Sequence, residues 1–280
     1  MIKVKPNEPC PCGAARKYKK CCYNGKRGWQ PGERMQQRLR QYGTASRVFS
    51  ARFHKMHHHL LPKTEVRPST IHGNGVFAVE DIPIFTPVAI YPIDYCCFRT
   101  KGEEIRLQTR NDVPPYNDNA KVLNQYRMNF QLNTENTKLD DIEICYVADP
   151  SKRDYGRAHL INDAGCMNRQ SVESWNDYML SFKKSNVIEY HLGSFGMFFV
   201  AIRDIKAGEE LLYHYGMSYW AKGADAKLAA ERPDMLEAEA VLKDTWRQQV
   251  AEKLTQLTQL DKNYRQHDFQ KVYDQCSAIG

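Results

Sequence analysis

The chain has 280 residues, 42% of them apolar and 26% charged, which excludes a short peptide, a disordered tail and a repeat array and fits one large domain or two smaller ones. The net charge of +7 divides unevenly: residues 1–60 carry 14 Lys/Arg against 2 Asp/Glu, net +12, and the remainder carries 26 against 31, net −5. Met1 to Pro6 is charged with no apolar leader, and no apolar run approaches the roughly 18 residues of a spanning helix. These features predict a soluble intracellular protein, nuclear or cytoplasmic, not secreted and without membrane contact, whose nine cysteines serve as thiols or metal ligands.

Cys10, Cys12, Cys21 and Cys22 fall within thirteen residues, spaced CxCx8CC. Pro9, Pro11 and Gly13 permit tight backbone there, so four thiolates can reach one tetrahedral ion. Zinc suits an all-sulfur site because it accepts soft ligands and imposes no geometry of its own. A segment of about 25 residues with almost no aliphatic side chains builds no core, so bound metal supplies its stability. A surface cluster of ordinary thiols is the plain alternative. The run from Pro6 to Tyr23, including Lys17, Tyr18 and Lys19, closely resembles the SEC-C motif, a small zinc-binding tail that in its family docks protein partners or the ribosome.

Residues 26–63 continue basic, with Arg34, Arg38, Arg40, Arg47 and Arg52. Such a stretch neutralises the phosphates of a nucleic acid, docks an acidic protein, or is a solvated helix or linker. His54, His57, His58 and His59 read as a polar stretch, since nothing beside them completes a metal site.

From about residue 64 the texture changes to short β-branched and aromatic runs. Val76–Val79, Thr86–Tyr91, Ile142–Val147, Val187–His191 and Met197–Ala201 predict strands of four to six residues, hence a mainly β fold with some α, not a doubly wound sheet. Segments 100–140 and 168–186 are polar and turn-rich and read as excursions from that framework.

Three motifs carry the chemistry. Ile71 to Ala78 (IHGNGVFA) sets two glycines one residue apart before a strand, where backbone can approach a ligand closely. Arg157 to Asn168 reads RAHLINDAGCMN, and Ala207 to Gly216 reads AGEELLYHYG, followed by Tyr219 and Trp220. In this order they resemble the SET-domain protein lysine methyltransferases from about Val66 to Trp220. The resemblance implies small β-sheets, a closing segment threaded knot-like through the loop of the middle motif, and methyl transfer from S-adenosylmethionine to a lysine of a histone or another protein. The division it implies is residues 1–25 as a zinc module, 26–63 as a basic linker or helix, 64–220 as the SET domain and 221–280 as a C-terminal helical segment.

By the same resemblance Tyr215 is the catalytic tyrosine, and Tyr213 takes the position that limits how many methyls fit, where a hydroxyl favours monomethylation. Tyr146 lines the lysine channel or is a core tyrosine. Gly73, Asn74, Gly75, Val76, Asn162, Asp163 and Tyr215 hold the cofactor, with Trp220 stacking on adenine or buried in the core. Two positions depart from the family: its histidine after Asn162 is Asp163, and its aspartate before the catalytic tyrosine is His214, which predicts a reciprocal Asp163–His214 hydrogen bond. The alternative is an inactive SET-fold adaptor that docks partners through its zinc module.

After Trp220 the sequence holds one cysteine, Cys276, so no cysteine cluster closes the channel from that side. Asp234–Leu260 predicts a helix, with Leu242, Trp246, Val250, Leu254, Leu257 and Leu260 forming an apolar stripe. That stripe packs on its own domain as a lid or pairs with a second copy, leaving the chain a monomer or a dimer.

Overall fold

A computed structural model describes residues 5–8, 17–20, 61–100, 103–108, 126–131, 143–151, 156–165, 172–192, 196–220 and 233–253. Cys10, Cys12, Cys21 and Cys22, the basic segment 26–60 with its histidines, and Leu254, Leu257 and Leu260 lie outside the described residues.

Eleven short strands and three helices are described. The strands are β1 (Thr64–Pro68), β2 (Asn74–Ala78), β3 (Pro87–Ile90), β4 (Tyr95–Thr100), β5 (Glu103–Gln108), β6 (Arg127–Gln131), β7 (Glu143–Val147), β8 (Asn162–Asp163), β9 (Val187–Leu192), β10 (Gly196–Ala201) and β11 (Leu212–Tyr213). The helices are α1 (Val172–Ser181), α2 (Met217–Trp220) and α3 (Pro233–Lys253). All five strand runs expected from the sequence are present, shifted by a residue or two. Segment 100–140 differs from expectation: β5 and β6 lie within it as edges of a four-stranded sheet ordered β5-β4-β7-β6. Their sequences, EEIRLQ and RMNFQ, mix charged and polar residues among the apolar ones, which hides a strand signal. Segment 168–186 likewise contains helix α1.

The other sheets are the β1-β2 hairpin, a three-stranded sheet ordered β3-β10-β9, and a two-stranded parallel pair of β8 and β11. Strand β2 is flanked on its far side by the closing motif: the Leu211 N–H donates to Val76 O at 2.7 Å and the Ala78 N–H to Glu209 O at 2.9 Å. Val76 and Ala78 are therefore buried, and they sit in the main core with Ile82, Ile93, Tyr146, Ile161, Phe199 and Leu211. The threading expected of the closing segment depends on residues 166–171, which lie outside the described residues.

Tyr18, within the SEC-C resemblance, is 2% exposed and belongs to the main core cluster. The C-terminal helix packs on its own domain, and of the expected stripe Trp246 and Val250 face the body while Leu242 is exposed. Val241 and Leu242 are exposed, whereas Met235, Glu239, Lys243 and Val250 are buried. Val250 and partly buried Trp246 join Ile90, Ile188, Phe198 and Val200 in a second cluster. The buried face thus mixes apolar side chains with two charged ones, Glu239 and Lys243, which an apolar pattern does not flag.

Candidate active site

Strands β8 and β11 are two residues long, and they bring the middle and closing motifs together. Leu212 lies opposite Asn162 and Tyr213 opposite Asp163. So short a ladder contributes little alone, and the buried Asn186 side chain reinforces it. Its amide donates to Glu210 O at 2.7 Å, and its carbonyl accepts the Leu212 N–H at 2.7 Å.

One side of this joint is a polar cradle. The Asn162 amide donates to His72 O at 3.0 Å, Asn74 O at 3.2 Å and Glu210 Oε1 at 2.8 Å, tying the glycine segment to the middle motif. Glu210 Oε2 accepts the Ser69 hydroxyl at 2.9 Å. A Cβ on Gly75 would stand 2.0 Å from Glu210 Oε1 and 3.2 Å from Asn162 Nδ2, so the side chains occupy the room that glycine leaves. Gly73, at φ 49°, has open space where its Cβ would be, and residues 70–74 are exposed. Exposed backbone carbonyls, an amide and a carboxylate fit a ligand bearing an ammonium and a sulfonium, as S-adenosylmethionine does. Glu210 was not singled out from the sequence, although it lies inside the AGEEL run.

The other side is aromatic. Tyr215 donates its hydroxyl to Ile161 O at 2.7 Å, one residue before Asn162. Its ring lies 5.8 Å from Tyr213 and edge-on to Tyr219 at 4.7 Å. Burial first, then neighbouring Tyr219 and Asp163, push the Tyr215 hydroxyl far above the usual tyrosine range, so it stays protonated as a donor. Tyr91 donates its hydroxyl to Tyr126 O at 2.8 Å, and both rings meet His159 edge-on. Tyr91 and Tyr126 are near enough to couple electrostatically to Tyr215, and sequence reasoning missed both. Tyr146 is 1% exposed on β7 in the same core cluster as Tyr213 and Tyr215.

Three carboxylates support the aromatic side. Asp163 is buried, and its Oδ2 accepts the Tyr178 hydroxyl at 2.7 Å, the Trp220 indole N–H at 2.8 Å and the Tyr215 N–H at 3.3 Å. Its Oδ1 accepts the Gly165 N–H at 3.0 Å. Burial still holds the Asp163 carboxyl above its ordinary range, outweighing those donors. Trp220 is half-buried with its indole N–H committed to Asp163.

The expected Asp163–His214 hydrogen bond is absent. Tyr178 intervenes, giving its hydroxyl to Asp163, its carbonyl to His214 Nε2 at 3.3 Å and its ring face to the imidazole at 4.2 Å. His214 Nδ1 faces Glu239 Oε1 at 3.6 Å. The third carboxylate, Glu189 on β9, pairs with Arg247 of α3 and adjoins Tyr213. Burial and then Glu189 raise the Tyr213 hydroxyl well above its usual range. No motif flagged Tyr178, Glu189 or Glu239, because each acts from an element remote in sequence.

No curated protein matches the chain. Among solved structures, CpSET8 from Cryptosporidium is 22% identical over 57% of this chain and 60% of its own, with a TM-score of 0.33. ATXR5, solved in complex with histone H3.1 mono-methylated on R26, is 22% identical over 55% of this chain and 57% of its own, with a TM-score of 0.32. The methyltransferase domain of human PR domain-containing protein 2 is 16% identical over 57% of this chain and 84% of its own, at 0.31. The chain therefore spans about 60% of the first two proteins' length. The SEC-C motif matches residues 7–24, and the SET domain matches residues 73–216, more than half of the chain. That match includes the glycine segment, the β8–β11 joint and Tyr215, and with it the chain belongs to the SET domain family.

Proposed function

We propose that the chain is an S-adenosylmethionine-dependent protein-lysine N-methyltransferase that favours monomethylation of a histone or another protein. The observation that carries this reading is the Tyr215 hydroxyl held on Ile161 O, one residue from the Asn162 amide that organises the glycine segment.

Bound S-adenosylmethionine supplies a methyl group on a positive sulfonium. Residues 73–76, the Asn162 side chain, Glu210 and the backbone at Asp163 hold it, with Trp220 at the edge. A lysine needs a free lone pair to accept a methyl, and burial among tyrosine rings disfavours its ammonium form. Tyr215 cannot take that proton, because its own hydroxyl stays protonated; its role is to orient. Tyr91, Tyr126 and Tyr219 form channel walls that exclude water and offer cation–π attraction to the arriving ammonium. Alignment of nitrogen, methyl and sulfur supplies most of the rate gain, up to roughly 7–11 kcal/mol in well-oriented systems. Tyr213 is buried with its ring 5.8 Å from that of Tyr215, and a hydroxyl at this position leaves less room for additional methyls, which supports the monomethylation reading.

Cys10, Cys12, Cys21 and Cys22 are proposed to hold zinc. Supporting this, the Tyr18 N–H donates to Glu8 O at 2.8 Å and the Lys19 N–H to Pro6 O at 2.9 Å, which sets the segments preceding the two cysteine pairs side by side. The basic N-terminal region is proposed to dock an acidic protein or a nucleic acid.

Transfer of radiolabelled methyl to histones and to a cell lysate, compared with Tyr215→Phe, tests the activity. The expected result is labelled lysine with the wild type and at least 100-fold less with the variant. Cofactor binding without incorporation into any protein would overturn it and leave the adaptor reading. Mass spectrometry of the labelled lysate identifies the substrate.

A further inference from the structure

We infer that Glu239, on the C-terminal helix α3, is a positioning residue for Tyr215: its carboxylate clasps the backbone turn that carries the tyrosine. The kinetic half of this inference rests on the methyltransferase reading; the structural half does not.

Glu239 hydrogen-bonds the chain after Tyr215 and lies beside the residue before it. Its Oε2 accepts the Met217 N–H at 2.9 Å. Its Oε1 lies 3.6 Å from His214 Nδ1 and 3.2 Å from Lys243 Nζ, one helical turn further along α3. Between these contacts is Gly216, at φ 104°, where a Cβ would stand 2.6 Å from Glu239 Oε1. The turn needs glycine twice over, for its left-handed backbone and for the closeness of the carboxylate. The Gly216 N–H completes the clasp by donating to the Tyr178 hydroxyl at 2.9 Å. Residue 217 is thereby held by Glu239 and residues 214 and 216 by Tyr178, with the carboxylate packed against the turn between them, and the position of Tyr215 follows from theirs.

Charges on the buried face are a poor way merely to attach a helix, because their desolvation is costly and apolar residues pack as well. Glu239 and Lys243 nonetheless occupy the buried face of α3 while Val241 and Leu242 are exposed. The contacts converge on one turn, the one that aims the Tyr215 hydroxyl at Ile161 O. Misplacing a reacting group by about 1 Å can cost 100-fold in rate, so a remote clasp has kinetic weight.

The test compares full-length wild type, Glu239→Ala and Glu239→Gln in two measurements. Hydrogen exchange of the peptide spanning residues 213–220, without cofactor, should be faster in Glu239→Ala and near wild type in Glu239→Gln, whose amide oxygen still accepts the Met217 N–H. In steady-state methyl transfer, Glu239→Ala should lose 10-fold or more in kcat, with peptide KM and cofactor Kd within about threefold of wild type, and Glu239→Gln should recover most of it. A folded Glu239→Ala with wild-type exchange and kcat overturns the inference, as does a variant in which KM rises and kcat holds. If Glu239→Ala does not fold, Glu239→Gln decides: fast exchange or a 10-fold loss of kcat there shows that the Met217 contact is not the clasp. A wild type without turnover defeats the methyltransferase reading instead, and the exchange arm still judges the clasp.

Discussion

The two sides of the site are built from opposite kinds of interaction. The glycine cradle is exposed backbone gathered by one amide, Asn162, with the Glu210 carboxylate reaching in from the closing motif. The aromatic side is a set of buried rings fixed from behind by three buried acids, Asp163, Glu189 and Glu239, which come from β8, β9 and α3. Water reaches the exposed 70–74 backbone of the cradle. Behind the tyrosines it does not, and a donor left unpaired there carries its full desolvation cost. The cradle should therefore tolerate change with graded loss of affinity, and the aromatic side should respond sharply to its acids.

The sharpest break is Asp163→Ala. It strips an acceptor from the Tyr178 hydroxyl, the Trp220 indole, and the Tyr215 and Gly165 N–H groups at once. At about 1–3 kcal/mol for each buried donor left unpaired, less the relief from no longer burying a carboxylate, the expected loss is about 3 kcal/mol. Urea unfolding measures it, and Asp163→Asn should lose less because it keeps one acceptor oxygen. Unchanged stability in the alanine variant would mean that the aromatic side does not depend on its acids.

Acid titration probes the same contrast at Glu239. Burial alone would raise this carboxyl, but His214, Lys243 and the Met217 N–H hold it at about 2 against an ordinary 4.5. A depressed folded value means that stabilisation is fully present above pH 4.5 and is lost as pH falls towards 2. Its size is on the order of 3 kcal/mol. Thermal unfolding from pH 7 to pH 2 should show wild type well above Glu239→Gln at neutral pH, with the two curves converging in acid. A constant gap would place the effect elsewhere than on the charge.

The same contrast decides how much was legible in the sequence. The cradle was, because glycine and asparagine at fixed spacing announce close backbone approach, and Gly73, Gly75 and Asn162 do assemble. Tyr213 and Tyr215 were found through the closing motif. Their supports were not: Tyr178 lay in a stretch read as an excursion, and Glu239 is a charged residue facing inward from a helix read by its apolar stripe. Reciprocal exchange of Asp and His also misled, since a tyrosine from α1 stands between the two side chains. A one-dimensional pattern shows which residues a segment offers. It does not show which remote segment will supply their partners.

A milder change tests the tolerance of the cradle. Gly75→Ala places a methyl against Glu210, which can swing aside because it is the far end of a flexible side chain, but it then loses the Asn162 hydrogen bond. One such bond is worth about 1 kcal/mol, so cofactor Kd should rise roughly 5- to 10-fold while Tm stays near wild type. Calorimetric titration with S-adenosylmethionine reads this directly. A collapse of stability would make the cradle as brittle as the aromatic side and erase the distinction.

The smallest energetic effect is expected at Tyr213, where the two sides meet. Its ring packs edge-on against Phe199 at 4.9 Å and lies under Lys243 Nζ at 5.2 Å, so Tyr213→Phe keeps the packing and removes only the hydroxyl beside Glu189. Glu189 retains Arg247 as its partner, which limits the cost in stability to about 1 kcal/mol. Tyr215 and its hydrogen bond to Ile161 O are untouched, so the first methyl transfer should proceed within about threefold of the wild-type rate. What should change is the product: with the hydroxyl gone, the space beside the amine admits a methylated lysine, and di- and trimethyl peptide should accumulate. Intact-mass analysis over time separates these species. A variant that remains monomethylating would assign the limit on product to the Glu189 carboxylate or the channel walls, and not to the Tyr213 hydroxyl.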